Sequence, residues 1–389
     1  ESGIGGCRKG VYVHIPFCAR KCYYCDFYSL VVRNQTEFQL VASNYLSSLR
    51  RESVFYRPKL KENVFQTLYF GGGTPTLLPA ADLSELVSFL IENLPFEKEI
   101  EVTVEANPLL DLADVEILAS AGVNRISLGA QAFQDHLLRA LGRTHRAGDV
   151  FRAAEAIRAA GITNLNLDLI FGLPRQSLKE WEETLQKAVA LRPTHISCYG
   201  LILEEGTPFF HWHNLGLLKF PSDDFQARMY TMARQSLKEA GYEHYEISNF
   251  CLPGYRAKHN LLYWANRSFL GLGAGASGYL NRVRYTNLAD LNKYWQSWLQ
   301  GKPIFSQREK VSLNQEMDET MMMGMRLLDG VAEEEFKGRY GVSYWEVYPA
   351  EIENLSQRGL LEYKDGFLRV TERGLYLENM VSAAFLRGV

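Results

Sequence analysis

Apolar and polar positions follow two rhythms along the chain. Short stretches of strand character recur at residues 11–15, 64–70, 100–104, 125–128, 165–171 and 195–203. Between and after them lie longer stretches with apolar residues three and four apart. These predict helices over 36–56, 83–94, 114–121, 150–160, 178–191 and 225–240. Gly122, Gly161 and Gly241 stand just past three of these helices, where glycine closes a helix most easily. Six strand–helix units in regular alternation predict an α/β fold with a parallel sheet and helices outside it. Eight units would close a full barrel, so six predict an open, partial (β/α)6 barrel with its site at the C-terminal ends of the strands.

The pattern changes near 302–308, which reads as a linker. Residues 1–300 are expected to form the barrel and an extension of it, and residues 309–389 a second, smaller domain. A Met-rich helix is predicted over 318–328, with Met321, Met322, Met323 and Met325 packing a core. Helices over 333–340 and 344–358 follow. Residues 360–363 and 367–370 flank the turn Asp365-Gly366 as a hairpin, and Thr371 caps a last helix toward Phe385. Helices followed by a hairpin make this domain winged-helix-like. Residues 331–389 carry seven Lys/Arg against ten Asp/Glu, a poor match to a phosphate backbone. The domain is expected to be structural or to face a partner, with no nucleic acid.

Composition narrows the setting. The chain has 389 residues, 47% of them hydrophobic and 22% charged, with a net charge of −3. These describe an ordinary globular protein without general attraction for nucleic acid or anionic membranes. No apolar run is long enough for a transmembrane segment and no signal peptide is visible. The chain begins at Glu1 rather than Met, which leaves a removed leader open. Cys7, Cys198 and Cys251 are isolated and expected to be small buried hydrophobes. Three further cysteines in one loop call for a reducing, cytoplasmic setting where thiolates persist.

Those three, Cys18, Cys22 and Cys25, have the spacing C-x3-C-x2-C directly after the first strand. A disulfide framework would leave an odd thiol, and a zinc site would want a fourth ligand. Three thiolates can instead hold three corners of a [4Fe–4S] cluster and leave one iron open to a small molecule. The spacing resembles the signature of radical S-adenosylmethionine (SAM) proteins.

Other candidates lie at strand ends. Gly71-Gly72-Gly73-Thr74 follows the second strand, where backbone N–H groups can meet a carboxylate. Alone it reads as a turn, and after a cluster loop as a SAM site. Glu105 ends the third strand and Gln131 the fourth. Asp168 lies inside an apolar strand, as a functional carboxylate or one half of a buried salt bridge. Residues 273–278 match G-x-G-x-x-G, yet the extended stretch after them lacks the helix of a dinucleotide site. Close backbone packing near a ligand is expected there. Lys258-His259-Asn260-Leu261-Leu262-Tyr263-Trp264 combines a histidine able to ligate haem iron with aromatics suited to a macrocycle.

The motifs YVHIPFC, CYYCDF, GGGTPT, EANP, LGAQAF and DLIFGLP together resemble the HemN/HemW group of radical SAM proteins over most of the chain. Three features favour the haem-chaperone branch over the oxygen-independent coproporphyrinogen oxidase branch. Phe27 stands where the oxidases carry an additional cysteine, few residues precede the first strand, and HNLLYW fits the chaperones' H-N-x-x-Y-W motif. The resemblance implies a cluster on Cys18, Cys22 and Cys25. It implies SAM contacts from Tyr12, Tyr24, Gly72, Gly73, Thr74 and Glu105, and further SAM-site positions at Gln131, Arg143 and Asp168. It places His259 in a haem-binding motif. The implied function is binding haem and delivering it to acceptor proteins, with an electron donor for the cluster, and it is compatible with a homodimer. The alternative it implies is radical SAM decarboxylation of coproporphyrinogen III.

Overall fold

The computed structural model describes residues 9–60 and 64–387. Cys7 therefore lies outside the described residues, while Cys198 and Cys251 are buried as expected. Six strands form the centre: β1 (Lys9–Ile15), β2 (Phe65–Gly72), β3 (Phe96–Ala106), β4 (Arg125–Gln131), β5 (Asn164–Phe171) and β6 (His195–Gly200). Each pairs in parallel with the next. The helices between and after them are α1 (Gln35–Tyr56), α2 (Ala80–Asn93), α3 (Leu112–Ser120), α4 (Ala147–Ala159), α5 (Leu178–Ala190) and α6 (Asp223–Glu239). This is the expected α/β partial barrel. The sheet continues past both ends to twelve strands, and among the described residues its two edges do not pair.

Strand alternation sorts the side chains by face. Val11, Val13 and Ile15 of β1, Leu68 and Phe70 of β2, and Leu165, Leu167 and Leu169 of β5 point outward into the main core under the helices. The alternate positions carry Tyr12, Tyr69, Glu105, Ser127, Asn166 and Asp168, so the interior of the barrel is polar.

The sequence placed the main helices within a few residues and erred at the joints. The expected linker at 302–308 is partly strand: Phe305–Lys310 pairs antiparallel with Val283–Asn287 at the sheet edge. Its mostly exposed polar side chains give no apolar alternation to read. The sheet thus reaches Lys310, past the expected boundary. The stretch after 278 is a hairpin of Ser277–Leu280 and Val283–Asn287. The Met-rich helix spans Leu313–Gly324, started by a capping box of Ser312 and Gln315. The predicted helix 344–358 breaks into Tyr344–Val347 and Pro349–Gln357, because Pro349 supplies no N–H and Tyr348 leaves helical geometry. Thr371 caps only the short helix Glu372–Leu375, and Glu378–Ala383 is separate. Short helices at Asp135–Ala140 and Pro208–Asn214 escaped the pattern reading.

The second core gathers Met317, Met321, Met325, Phe336, Tyr348, Leu368 and Phe385. A third strand, Val331–Ala332, joins the expected hairpin (Leu361–Lys364 and Phe367–Val370). No helix among the described residues is long and apolar enough to cross a membrane.

Glu52 on α1 ties the G-x-G-x-x-G loop to the barrel. This fully buried carboxylate accepts from the Gly273 amide (2.8 Å), the Asn287 side chain (2.8 Å) and the Tyr294 hydroxyl. A Cβ on Gly273 would stand 2.4 Å from the Tyr45 hydroxyl, so close backbone packing is what the glycine provides. Glu52→Ala would leave buried donors without an acceptor, and chemical unfolding should register a loss of about 3 kcal/mol. Burial pushes the Glu52 carboxyl from 4.5 up to about 7. The folded state therefore holds this proton more tightly than the unfolded chain. Its contribution to stability is present below 4.5 and is lost as pH rises to about 7. Glu52→Gln should flatten that part of the stability–pH curve.

Candidate functional site

The cysteine loop leaves the end of β1 and closes on itself. Phe17–Cys18 pairs in parallel with Leu30–Val31, and the Leu30 amide donates to the Pro16 carbonyl at 2.6 Å. Tyr23, between Cys22 and Cys25, anchors the loop from outside. Its amide donates to the Leu141 carbonyl (3.1 Å), its carbonyl accepts from Phe209 (3.0 Å), and its ring meets Trp212 edge-on at 5.0 Å. The missed helix Pro208–Asn214 therefore holds the loop in place.

All three thiols line one cavity of about 530 Å³ at the C-terminal end of the sheet. Tyr24, Gly72, Gly73, Thr74, Glu105, Gln131, Arg143 and Asp168 line it too. Tyr12 and His259 do not. Tyr12 lies behind the wall, stacked on Tyr69 at 6.2 Å and bonded to the His14 ring at 2.9 Å. His259 is 1% exposed, with Nδ1 on the Thr67 hydroxyl (2.7 Å) and Nε2 on the Tyr263 hydroxyl (2.8 Å). Burial, and then the Arg125 charge, push its pKa down to about 3, so the ring is neutral.

The thiols fit a cluster better than a single ion. No three His, Cys, Asp or Glu among the described residues converge on one point. A cubane presents a separate iron to each thiolate, so its ligands need not converge. The thiols also have the right neighbours for a charged cluster. Arg143 Nη1 reaches Cys22 Sγ at 3.6 Å, and the Thr74 hydroxyl lies 3.7 Å from Cys18 Sγ. Burial pushes the Cys18 thiol up, and the Cys25 thiol up to about 11. Burial thus favours the protonated form of Cys18 and Cys25, and binding iron must displace those protons.

Opposite the thiols, Glu105 accepts from the Tyr69 hydroxyl (2.7 Å) and the Gly72 amide (3.2 Å). Burial pushes its carboxyl up to about 7; its bond to Tyr69 works the other way. Among the described residues Asp168 is not half of a salt bridge: it accepts from Ser127 (2.8 Å) and Asn166 (2.9 Å). Burial raises its pKa, and these bonds with the Arg125 charge counteract that. Gln131 ends β4 at φ 64°, a left-handed conformation where the β4–β5 register shifts. Gly72 has φ 107°, and a Cβ there would stand 2.4 Å from the His14 ring.

Pattern reading missed Tyr69, Arg125, Ser127, Asn166, Ser197, Tyr199 and Asn260 in the same wall. For six of them the signal was present: polar residues at alternate positions of apolar strands. Asn260 comes from the helix Lys258–Trp264, which approaches the barrel from the other side.

The open parallel barrel with a three-thiol cavity at its strand ends defines a radical SAM protein. The radical SAM superfamily profile matches residues 12–188, and that of the HemN C-terminal domain residues 311–377. Relatives named heme chaperone HemW align over nearly the whole chain. The one from Lactococcus lactis is 39% identical, with 97% of each chain covered. Those from Bacillus subtilis and Escherichia coli are 36% and 33% identical over 97% of this chain, covering 99% and 97% of the relative. The chain belongs to the HemW family. Membership implies a [4Fe–4S] cluster and SAM. The structure of coproporphyrinogen III oxidase (HemN) from Escherichia coli, a radical SAM enzyme, aligns with TM-score 0.84 at 22% identity. It covers 98% of this chain and 91% of the oxidase, a likeness of fold.

A Cβ on Gly73 would stand 2.6 Å from the Phe17 carbonyl and 2.8 Å from that of Ile15, both backbone atoms leading into the cysteine loop. Gly73→Ala should therefore displace the loop. After anaerobic reconstitution we expect its iron and sulfide content to fall by more than half, with the fold intact by circular dichroism.

Proposed function

We propose that this protein is a haem chaperone that binds haem and passes it to acceptor proteins while carrying a [4Fe–4S] cluster and SAM. The observation that carries the reading is alignment with chaperones named HemW over 97% of both chains. Phe27 supports it. The position where the resembling oxidases carry an additional cysteine is a phenylalanine, 60% exposed at the mouth of the cavity.

In this reading Cys18, Cys22 and Cys25 hold the cluster. Tyr24, Gly72, Gly73, Thr74, Glu105, Gln131, Arg143 and Asp168 surround SAM, and Tyr12 supports Tyr69 from behind. When bound, the cluster supplies one-electron reductive cleavage of a sulfonium carbon–sulfur bond, with the electron taken from an external donor. The chain's own part is to bind, orient and exclude water. Glu105 and Asp168 would offer acceptors to the ligand's N–H and O–H groups, and Arg143 places its charge beside Cys22.

An ionised acceptor holds such donors better than a protonated one. SAM affinity of the reconstituted protein should thus rise with pH as Glu105 ionises near 7. Glu105→Gln should weaken binding and remove this dependence, as anaerobic calorimetry at pH 6 and 8 would show.

To separate chaperone from oxidase, the reconstituted protein is given SAM, reductant and coproporphyrinogen III without oxygen. Haem is titrated in parallel and offered onward to an apo-haemoprotein. We expect stoichiometric haem uptake, transfer, and no sustained protoporphyrinogen IX. Continued porphyrinogen turnover would overturn the reading in favour of the oxidase.

A further inference from the structure

Two sides of the cysteine loop lead to the cluster thiols. The inner side is the thiol cavity, where SAM sits in the reading above. The outer side is thin. The strand Phe17–Cys18 is covered there by one further strand, Leu30–Val31, whose residues are 39% and 41% exposed. The Val32 amide donates to the Cys18 carbonyl at 2.9 Å. One hydrogen bond and the covalent bonds of the residues it joins therefore connect the outer surface to the Cys18 thiol.

The outer side is also set apart by its charge. Residues 19–33 carry Arg20, Lys21 and Arg33 against Asp26 alone, in a chain with a net charge of −3. Arg20 lies over the Tyr23 ring at 5.3 Å, and Lys21 Nζ donates to the Phe27 carbonyl at 3.2 Å. Among the described residues none of the three cations pairs with a carboxylate. Arg267, Arg326 and Arg339, by contrast, pair with Glu335, Glu378 and Glu316. The same stretch exposes three apolar side chains, Phe27, Leu30 and Val31. Val32 turns inward onto the main core, so Val31 and Arg33 share the outward side. Exposed apolar residues among cations without counter-charges suit a partner with an apolar contact and an acidic rim.

The chemistry behind this face selects the partner. The cluster takes up electrons one at a time, and electron transfer weakens steeply with distance, so the donor's redox group must come up against the loop. Resting on the external donor of the proposed function, we propose that the outer face of the cysteine loop docks an acidic one-electron carrier protein. The electron enters at Leu30–Val31 and reaches the cluster through Cys18. The carrier loses one electron, the cluster gains it, and no bond forms or breaks. Redox encounters bury little surface, so a patch of this size is enough. Opposite charge mainly speeds such an encounter and adds less to its affinity.

The test is anaerobic stopped-flow reduction of the reconstituted full-length chain, followed by bleaching of the cluster absorption. Fully reduced flavodoxin serves as the acidic carrier, and dithionite as a small reductant that needs no docking. At low salt Arg33→Glu and Val31→Glu should each slow reduction by flavodoxin about tenfold, and added salt should narrow the gap to the unsubstituted chain. Their iron content, reduction by dithionite and haem uptake should match the unsubstituted chain. Lys238→Glu controls for net charge. It lies at the C-terminal end of α6, which runs back to the opposite end of the barrel, and should leave both rates unchanged. Flavodoxin rates that ignore the two loop variants, or that fall equally in Lys238→Glu or with dithionite, would overturn the assignment. So would a cluster that dithionite reduces and flavodoxin does not. Variants that are reduced normally but no longer pass haem to an apo-haemoprotein would give this face to the haem acceptor instead. Each of these results leaves the chaperone reading standing, whereas an unsubstituted chain that takes up no haem would sink that reading and not the docking face.

Discussion

Glu105 is held at the centre of the barrel by the Tyr69 hydroxyl and the Gly72 amide, with Arg125 and Asp168 near enough to affect its charge. A buried carboxylate without such partners would cost several kcal/mol. The interior therefore works as a network: Ser127 and Asn166 satisfy Asp168, Asn166 also meets His195, and Tyr69 passes from Glu105 to His259. Each strand contributes an outward apolar row to the core and an inward polar row to this network. The cavity exists because the inner row is too polar to collapse.

The cysteine loop depends on that frame through backbone contacts. Its entry runs against Gly73, whose amide donates to the Ile15 carbonyl at 2.8 Å, and its middle is pinned at Tyr23 by the helix Pro208–Asn214. Thiols on a loop fixed at both ends keep their spacing before any iron arrives. That pre-organisation reduces the ordering cost of binding. The C-terminal domain is fastened to the same frame. Asn266, just past the motif helix, donates to Glu316 and Thr320, and Arg339 returns to the Asn266 carbonyl at 2.8 Å.

The motif helix illustrates how a linear motif can mislead. His259, Asn260, Tyr263 and Trp264 stand together as one motif in the sequence. A helix turns about 100° per residue, so its members face different ways. Asn260 reaches the thiol cavity, Tyr263 and Trp264 a second cavity of about 500 Å³ beside the C-terminal domain, and His259 packs between Tyr69 and Tyr263. The methionines are divided in the same manner. Met321 serves the second core, and Met322 and Met323 are half-buried at that second cavity.

Much of this protein was legible in its residues. The period-two runs and helical repeats specify six strand–helix units, because a strand buried on one face and a helix packed over it leave those periods in any sequence. The thiol spacing was readable from the cysteines themselves, and Glu105, Gln131 and Asp168 stood out as polar residues at the ends of or within apolar strands; they line the same cavity as the thiols. What lay beyond reach depends on contacts between distant segments. The strand Phe305–Lys310 is polar and edge-exposed, so only its pairing with Val283–Asn287 makes it a strand. Arg125, Ser127 and Ser197 stand out in the sequence as polar positions in apolar strands, but it is parallel register that gathers them on one cavity. The engagement of His259 with Thr67, 192 residues away, was decided by tertiary structure alone, since no local pattern records which hydroxyl a buried imidazole will meet.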